Sequence, residues 1–355
     1  MILHQQEKIL KASQIMNEKS KSHVIVKSPT RVDLAGGTLD MWPLHNFVGS
    51  SVTINLAIDI WTHVEIKSYE DKKVIIQSAD LKKEWFFENY QSFLDALDPS
   101  LSLFQKTFKQ FHSDFFTVGF HLKTSSESPI GGGIGGSSSL VISLLKAIHQ
   151  WIQIKNSRDT NHFVNLAHNI EAEILRTPTG TQDYYPAITG GLSFINYTPQ
   201  GIQQEVMSID HTPFQDHFLL VYTGRSHHSG LNNFEVLKSA VEGDEQVLSA
   251  LKKIKVIADQ MKSSIQNKNW SELPTLFRQE YEARIELTPA FSSPEIEKLA
   301  QICIAAGALA VKICGAGGGG CVMVWVPPEQ KEKVVQVCQN EKFQCLGANP
   351  VNPLI

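Results

Sequence analysis

Apolar and polar positions follow two periods along this chain, and each change of period marks a change of element. HVIVKS (23–28) alternates and meets Pro29, which predicts a strand stopped by the proline. Runs rich in Val, Ile, Thr and Trp at 51–57, 61–68, 73–78 and 83–88 predict four more strands. Phe93 to Phe111 has helical spacing, and Phe115 to Thr124 returns to a strand. After SSESPIGGGIGGSSS (125–139) an apolar helix runs to about residue 153. A second helix spans Asn161 to Leu175, with Glu171 and Glu173 near its end. The loop TPTGTQD (177–183) then leads to GGLSFINY (190–197), a strand opened by glycine.

The second half predicts strands at 202–208 and 217–223, then helices to residue 306. Ser293-Pro294 before Glu295 starts the last of these. Two strand-like runs flank GAGGGG (315–320), and a helix follows from about Pro328. Hairpins mixed with helix layers imply an α+β architecture rather than a strict βαβ winding. At roughly 150 residues per domain, 355 residues imply two domains.

Composition narrows the partners. With 42% hydrophobic and 19% charged residues the chain reads as soluble and globular, and a net charge of −4 leaves no basic footprint for nucleic acid or an acidic membrane. The longest apolar run, Leu140 to Ile154, contains Lys146 and His149 and falls short of the roughly 20 residues a bilayer requires. Charges interrupt the first 20 residues, which predicts no signal peptide. Five cysteines, all between Cys303 and Cys345 and without a C-x-x-C pair, argue against a zinc or disulfide framework. They point to a reducing cytoplasm, with thiols used as small core residues.

Three glycine-rich stations carry the candidate chemistry. The richest is Pro129-Ile-Gly-Gly-Gly-Ile-Gly-Gly-Ser-Ser-Ser139, between a predicted strand and a predicted helix. Glycines let backbone N–H groups approach an anion, and a helix N-terminus adds partial positive charge; the serines can cap the helix, donate to phosphate or reach Mg²⁺. A flexible turn with an N-cap is the plainer alternative. Gly131-x-Gly133-x-x-Gly136 also fits the dinucleotide fingerprint, but a helix follows where that fold needs a second strand. The lysine of a Walker loop is missing as well. The second station, Ser28-Pro-Thr-Arg-Val-Asp-Leu-Ala-Gly-Gly-Thr-Leu-Asp40, places Arg31 after the proline and Thr38 and Asp40 on a loop, as a polyol ligand requires. The third, Lys312-Ile-Cys-Gly-Ala-Gly-Gly-Gly-Gly-Cys321, is a turn between apolar strands. Two acids complete the set. Glu171 reads as a metal ligand or a solvated helix residue, and Asp183 as a base or the N-cap of Tyr184-Tyr185-Pro186.

Taken in order, PTRVDLAGG (29–37), PIGGGIGGSSSL (129–140) and KICGAGGGGCVM (312–323) resemble the three signatures of the GHMP kinase superfamily, which includes galactokinase and the homoserine, mevalonate and phosphomevalonate kinases. The resemblance covers about residues 23 to 340. Within that superfamily IEAEILRTPTGTQDYYPAITGGLSFINY (170–197), LLVYTGRSHHSG (219–230) and the segment 277–320 are most similar to sugar 1-kinases of the D-glycero-D-manno-heptose 7-phosphate kinase type. The opening motif also resembles the fucokinase kinase domain.

The resemblance implies a two-domain α+β fold, with an N-terminal domain like the second domain of ribosomal protein S5 and a ferredoxin-like C-terminal domain. It implies an N-terminal extension over 1–22, an ATP-binding domain over 23–200 and a C-terminal domain over 201–355. The activity implied is ATP- and Mg²⁺-dependent phosphoryl transfer to a sugar or sugar-phosphate hydroxyl. Asp183 matches the residue that accepts the substrate proton, and Arg31 the basic residue paired with it. Gly131, Gly132, Gly133, Gly135, Gly136, Ser137, Ser138 and Ser139 match the nucleotide phosphate loop, and Ser137 and Glu171 the Mg²⁺ contacts. Asp40 matches a sugar-hydroxyl ligand, with Thr38 beside it. Gly315, Gly317 and Gly318 match the third motif along the substrate, and Arg225 offers a fork for a substrate phosphate, ahead of His227 and His228.

Two departures bear on the substrate and on the serine that meets Mg²⁺, Ser137 being preferred over Ser138. Gly37 and Thr38 stand where galactokinase has a Glu-His pair, which counts against galactose, and Gly136 replaces a common serine. A galactokinase- or fucokinase-like free-sugar kinase is the alternative in the same class. A non-catalytic sugar or ATP sensor of the same fold is the alternative in another, although a sensor has no use for a base and metal ligands.

Overall fold

The computed structural model describes residues 22–69, 71–111, 119–152, 159–226, 229–315 and 317–354. All but the last residue of the expected N-terminal extension, the start of the strand expected from Phe115, and His227 and His228 lie outside the described residues. The chain divides into two compact units. Of the described residues, one unit holds those within 22–28, 62–127 and 137–174, and the other those within 29–61, 128–136 and 175–354.

Strands β1 (His23–Ala35) and β2 (Ser51–Tyr69) run through both units. In the first unit the far half of β2 pairs antiparallel with β5 (Gly119–Ser126). Strand β5 pairs in parallel with β3 (Val74–Ser78), which forms a hairpin with β4 (Lys83–Phe87). Aromatic rings fill the space behind this sheet, with Phe108 and Phe120 stacked at 4.8 Å and Trp151 edge-on to Phe120. The helices Gly136–Trp151 and Thr160–Leu175 match the sequence pattern closely. The helix expected over Phe93 to Phe111 does not form as one piece. Asn89 caps Tyr90–Leu94, and Asp98 with Pro99 restarts the chain as a short turn leading into Ser102–Lys109.

In the second unit the near half of β2 pairs antiparallel with β6 (Leu192–Thr198), and β6 with β7 (Gly201–Met207). A separate antiparallel sheet has the order β11-β8-β10-β9, from β8 (Phe218–Tyr222), β9 (Ala310–Ile313), β10 (Cys321–Trp325) and β11 (Gln344–Leu346). Helices Glu245–Gln266 and Leu273–Leu287 pack on one another, and Ser293 caps Pro294–Ala305 as its sequence predicts.

Two strand expectations are corrected. Pro29 does not stop β1, which continues to Ala35; among the described residues β1 pairs with β2 alone, so the missing N–H interrupts no ladder on the open side. The runs 51–57 and 61–68 are one strand. Its middle stays extended because Ala57 N donates to Gly191 O and Asp59 N to Asn349 O. Among the described residues no helix is long and apolar enough to cross a membrane.

Candidate active site

Asp183 immediately precedes the helix Tyr184–Thr189, the position of an N-cap, yet its carboxylate makes no capping bond. Instead Oδ1 accepts from both Nε (2.8 Å) and Nη2 (2.5 Å) of Arg31. The carboxylate is thus held by a residue 152 positions away rather than by the helix it precedes. The side chain of Asp183 keeps 24% exposure, enough for a ligand to reach it, whereas that of Arg31 keeps 5%. Burial alone would lower the Arg31 pKa, but the charges of Asp183 and Asp33 hold it above its ordinary value.

Arg31 gathers the glycine stations around that pair. It belongs to the 28–40 station, and its Nη1 donates to Gly133 O of the 129–139 station (2.9 Å) and to Cys314 O of the 312–321 station (2.6 Å). Its backbone N donates to Ile134 O, and Cys321 N donates to Gly132 O. Gly131, Gly133 and Gly135 all have positive φ. At Gly135 this is matched by a close approach, because an added Cβ would lie 3.2 Å from Asp183 Oδ2. In the third turn Gly315 O faces Arg284 Nη1 at 3.4 Å, Gly317 and Gly318 have positive φ, and Gly318 N donates to Phe291 O. Arg225 holds this turn by its backbone, accepting from Gly320 N, while its guanidinium lies 3.2 Å from Glu295 at the surface.

Asp40 is buried, and its Oδ2 accepts from Gln182 N, the residue before Asp183. Burial, reinforced by the nearby charges of Asp183 and Asp33, pushes its pKa up to about 6. Thr38, two residues earlier, is buried with φ +77°, and its Oγ1 has no hydrogen-bond partner. A β-branched residue rarely adopts that backbone, so the loop holds Thr38 under strain beside Asp40.

The other unit contains a second constellation. Gly136 opens the Gly136–Trp151 helix, and Ser137 and Ser138 in its first turn each donate at 2.7 Å to a different oxygen of Glu171. Glu171 is therefore buried and bonded rather than a solvated helix residue. Two hydroxyls on one carboxylate form a hard oxygen set of the kind Mg²⁺ takes, with phosphates and water completing its shell. Ser139 turns inward, donating to Ser28 O and meeting Thr62 Oγ1 at 2.9 Å.

The sequence reading missed four buried charges in the second unit: Asp33, Glu280, Arg284 and Lys312. Arg284 Nε donates to Glu280 Oε1 at 2.7 Å and Nη2 to Asp33 Oδ2, while Lys312 Nζ lies 3.1 Å from Glu280 Oε2. The available signal was a Glu-x-x-x-Arg pair at i, i+4, together with single charges inside the apolar runs VDL and VKI.

Comparison with known proteins supplies the context. The GHMP kinases N terminal domain family matches residues 102–191, and the GHMP kinases C terminal family matches 261–344. The D-glycero-alpha-D-manno-heptose 7-phosphate kinase of Campylobacter jejuni is 27% identical over 326 residues, covering 89% of this chain and 93% of that protein. The mevalonate kinase of Pyrococcus furiosus is 25% identical over 326 residues, covering 87% and 91%. The crystal structure of a D-glycero-D-manno-heptose 1-phosphate kinase from Bacteroides thetaiotaomicron superposes with a TM-score of 0.75 over 93% of this chain and 96% of that one, at 21% identity, a likeness of fold.

Proposed function

Because the chain belongs to the GHMP kinases and is a kinase of that family, we propose that it transfers the γ-phosphoryl group of ATP to the anomeric hydroxyl of a sugar phosphate, a D-glycero-D-manno-heptose 7-phosphate in first place. The observation that carries this reading is the Asp183 carboxylate, free of capping and fixed by two bonds from Arg31 to one oxygen. Oδ2 is then the oxygen that takes the proton of the attacking hydroxyl. The hydroxyl oxygen bonds to the γ-phosphorus, the bond from that phosphorus to the β,γ-bridging oxygen breaks, and ADP leaves with its electron pair. Phosphoryl transfer asks the protein mainly for positioning and charge stabilisation, and a buried, fully charged Arg31 beside the base suits both.

The backbone of Gly131 to Gly136 and the opening of the helix after it would receive the nucleotide phosphates. Ser137, Ser138 and Glu171 would hold Mg²⁺, which when bound offsets charge on the phosphates. Thr38 and Asp40 would take sugar hydroxyls, with Gly315, Gly317 and Gly318 alongside, and Arg225 is assigned to the substrate phosphate. Four of the five cysteines are buried and all five are free thiols, in keeping with work in a reducing cytoplasm.

The test is ATP consumption by the purified protein with D-glycero-D-manno-heptose 7-phosphate, sedoheptulose 7-phosphate, mannose, L-fucose, galactose and mevalonate. We expect turnover of a heptose phosphate at least about a hundredfold above the free sugars, as a site built for a charged group rejects analogues lacking it. Preferential turnover of L-fucose or galactose would replace the substrate. ATP binding with no turnover on the whole panel would favour a sensor.

A further inference from the structure

Arg284, Glu280, Asp33 and Lys312 form a buried quartet, two acids and two bases, each no more than 1% exposed by side chain. As a device for stability it is poorly made. Asp33 Oδ1 is buried without a hydrogen-bond donor, and Glu280 Oε2 is met at 3.1 Å by the unaligned ammonium of Lys312, whose aligned bond goes to Ile313 O. Buried charges with unsatisfied oxygens commonly cost as much as they return, and apolar replacements of matched shape are often neutral or better. The quartet is therefore better explained by what it touches.

It touches two of the elements that seat Arg31, its own strand and the turn after β9. Asp33 lies two residues beyond Arg31 on β1, hence on the same face of the strand, and its charge acts on the Arg31 guanidinium. Lys312 is on β9, two residues before Cys314, whose carbonyl accepts from Arg31. Arg284 reaches the next carbonyl, Gly315 O. The glycine loop of the 28–40 station closes over the quartet so tightly that a Cβ at Gly37 would lie 2.0 Å from Asp33 Oδ2 and 2.1 Å from Arg284 Nη2. The bases outweigh the effect of burial and keep Asp33 below the ordinary carboxylate range, so Asp33 carries its charge.

We propose that Arg284 is a positioning residue for phosphoryl transfer. Braced by Glu280, it neutralises Asp33 and holds the Cys314–Gly315 turn, which fixes the Arg31 guanidinium and through it the Asp183 carboxylate. The inference rests on the kinase reading and assigns a role to residues that reading leaves unused.

The test compares Arg284→Met/Glu280→Leu, which removes one charge of each sign, with Arg284→Lys, which keeps the charge but cannot span Glu280, Asp33 and Gly315 together. On the best substrate we expect kcat to fall at least about tenfold in both, with KM for ATP and sugar within about threefold. In an Arg31→Lys background the same changes should cost little more, since the two residues act as one unit. A second readout needs no substrate. The Arg31 Nε–H nuclear magnetic resonance signal, assigned by its loss in Arg31→Lys, should shift and exchange faster in both variants. Unchanged kcat in a folded variant, multiplicative losses in the cycle, or an unmoved Arg31 signal would overturn the proposal. An unmoved signal does so even if the panel above finds no substrate, whereas a shifted signal with no turnover sinks only the kinase reading. Should the double variant fail to fold, Arg284→Lys, which keeps the charges balanced, decides the matter.

Discussion

In the unit with residues 62–127 and 137–174, buried polar groups are mostly hydroxyls: Thr62 joins Ser139 and Ser143, and Glu171 is met by two serines. Burial also brings the Lys146 ammonium there down to about 8, close to shedding its charge. In the unit with Arg31 and Asp183, buried hydroxyls such as Thr53 and Ser193 are joined by full charges, and Arg31, Asp33, Glu280, Arg284 and Lys312 each meet an opposite charge. On the proposed function the difference follows from what each set would have to do. A hydroxyl can rotate away when a cation arrives, so Glu171 is stabilised without being committed. A guanidinium that must present one carboxylate oxygen at a fixed place needs partners that do not move.

The comparison can be broken most directly at Asp183. Asp183→Asn should lower kcat by about 10²–10⁴-fold, the usual loss for a general base, measured by ATP turnover at saturating substrate. In the hydroxyl-based unit Glu171→Gln keeps a partner for both serines but loses the charge. We expect the Mg²⁺ concentration for half-maximal rate to rise at least about tenfold, with the melting temperature little changed.

Asp40 sharpens the contrast, being a carboxylate in the charged unit without a cation of its own. Its folded pKa of about 6 lies above the ordinary 3.8, so its favourable contribution is full below about pH 3.8 and lost as pH rises through 6. At about 1.4 kcal/mol per pKa unit the ionised form costs roughly 3 kcal/mol near neutrality. Asp40→Asn should therefore melt several degrees higher than the parent at pH 7.5, show no such gain at pH 4, and bind sugar more weakly. The smallest effect belongs to His149, buried against Phe111 and Phe163 with neither ring nitrogen bonded. Burial, helped by His162, pushes its pKa down to about 4, so the stability it supports is full above about pH 6.5 and fades towards pH 4. His149→Phe should flatten the fall in denaturation midpoint over that range.

What could be read from sequence, and what could not, divides by distance along the chain. The glycine stations, the two long helices of the first unit and the Ser293 cap are local patterns, and each appears where its residues place it. The geometry also brings together Arg31, Gly133 and Asp183, and Ser137 with Glu171, as the order of motifs implied. Pro29 was misleading because a proline's effect depends on which edge of the strand is open, a tertiary fact. The quartet was hidden because Asp33 and Arg284 are 251 residues apart and each sits among apolar neighbours, where a lone charge gives no periodic signal.

One consequence follows from the way Arg31 is seated. Apart from Asp183, the acceptors it uses are main-chain oxygens, at Gly133 and Cys314, and Arg284 adds the main-chain oxygen of Gly315. Such a clamp reads the position of the main chain. Cys314→Ala adds no volume at that fully buried position and should leave its carbonyl in place, whereas Gly133 has positive φ and a Cβ at Gly315 would lie 2.7 Å from Gly133 O. Homologous chains could thus vary the side chain at 314 around an unchanged seat for Arg31, while its glycine neighbours hold the path of the backbone.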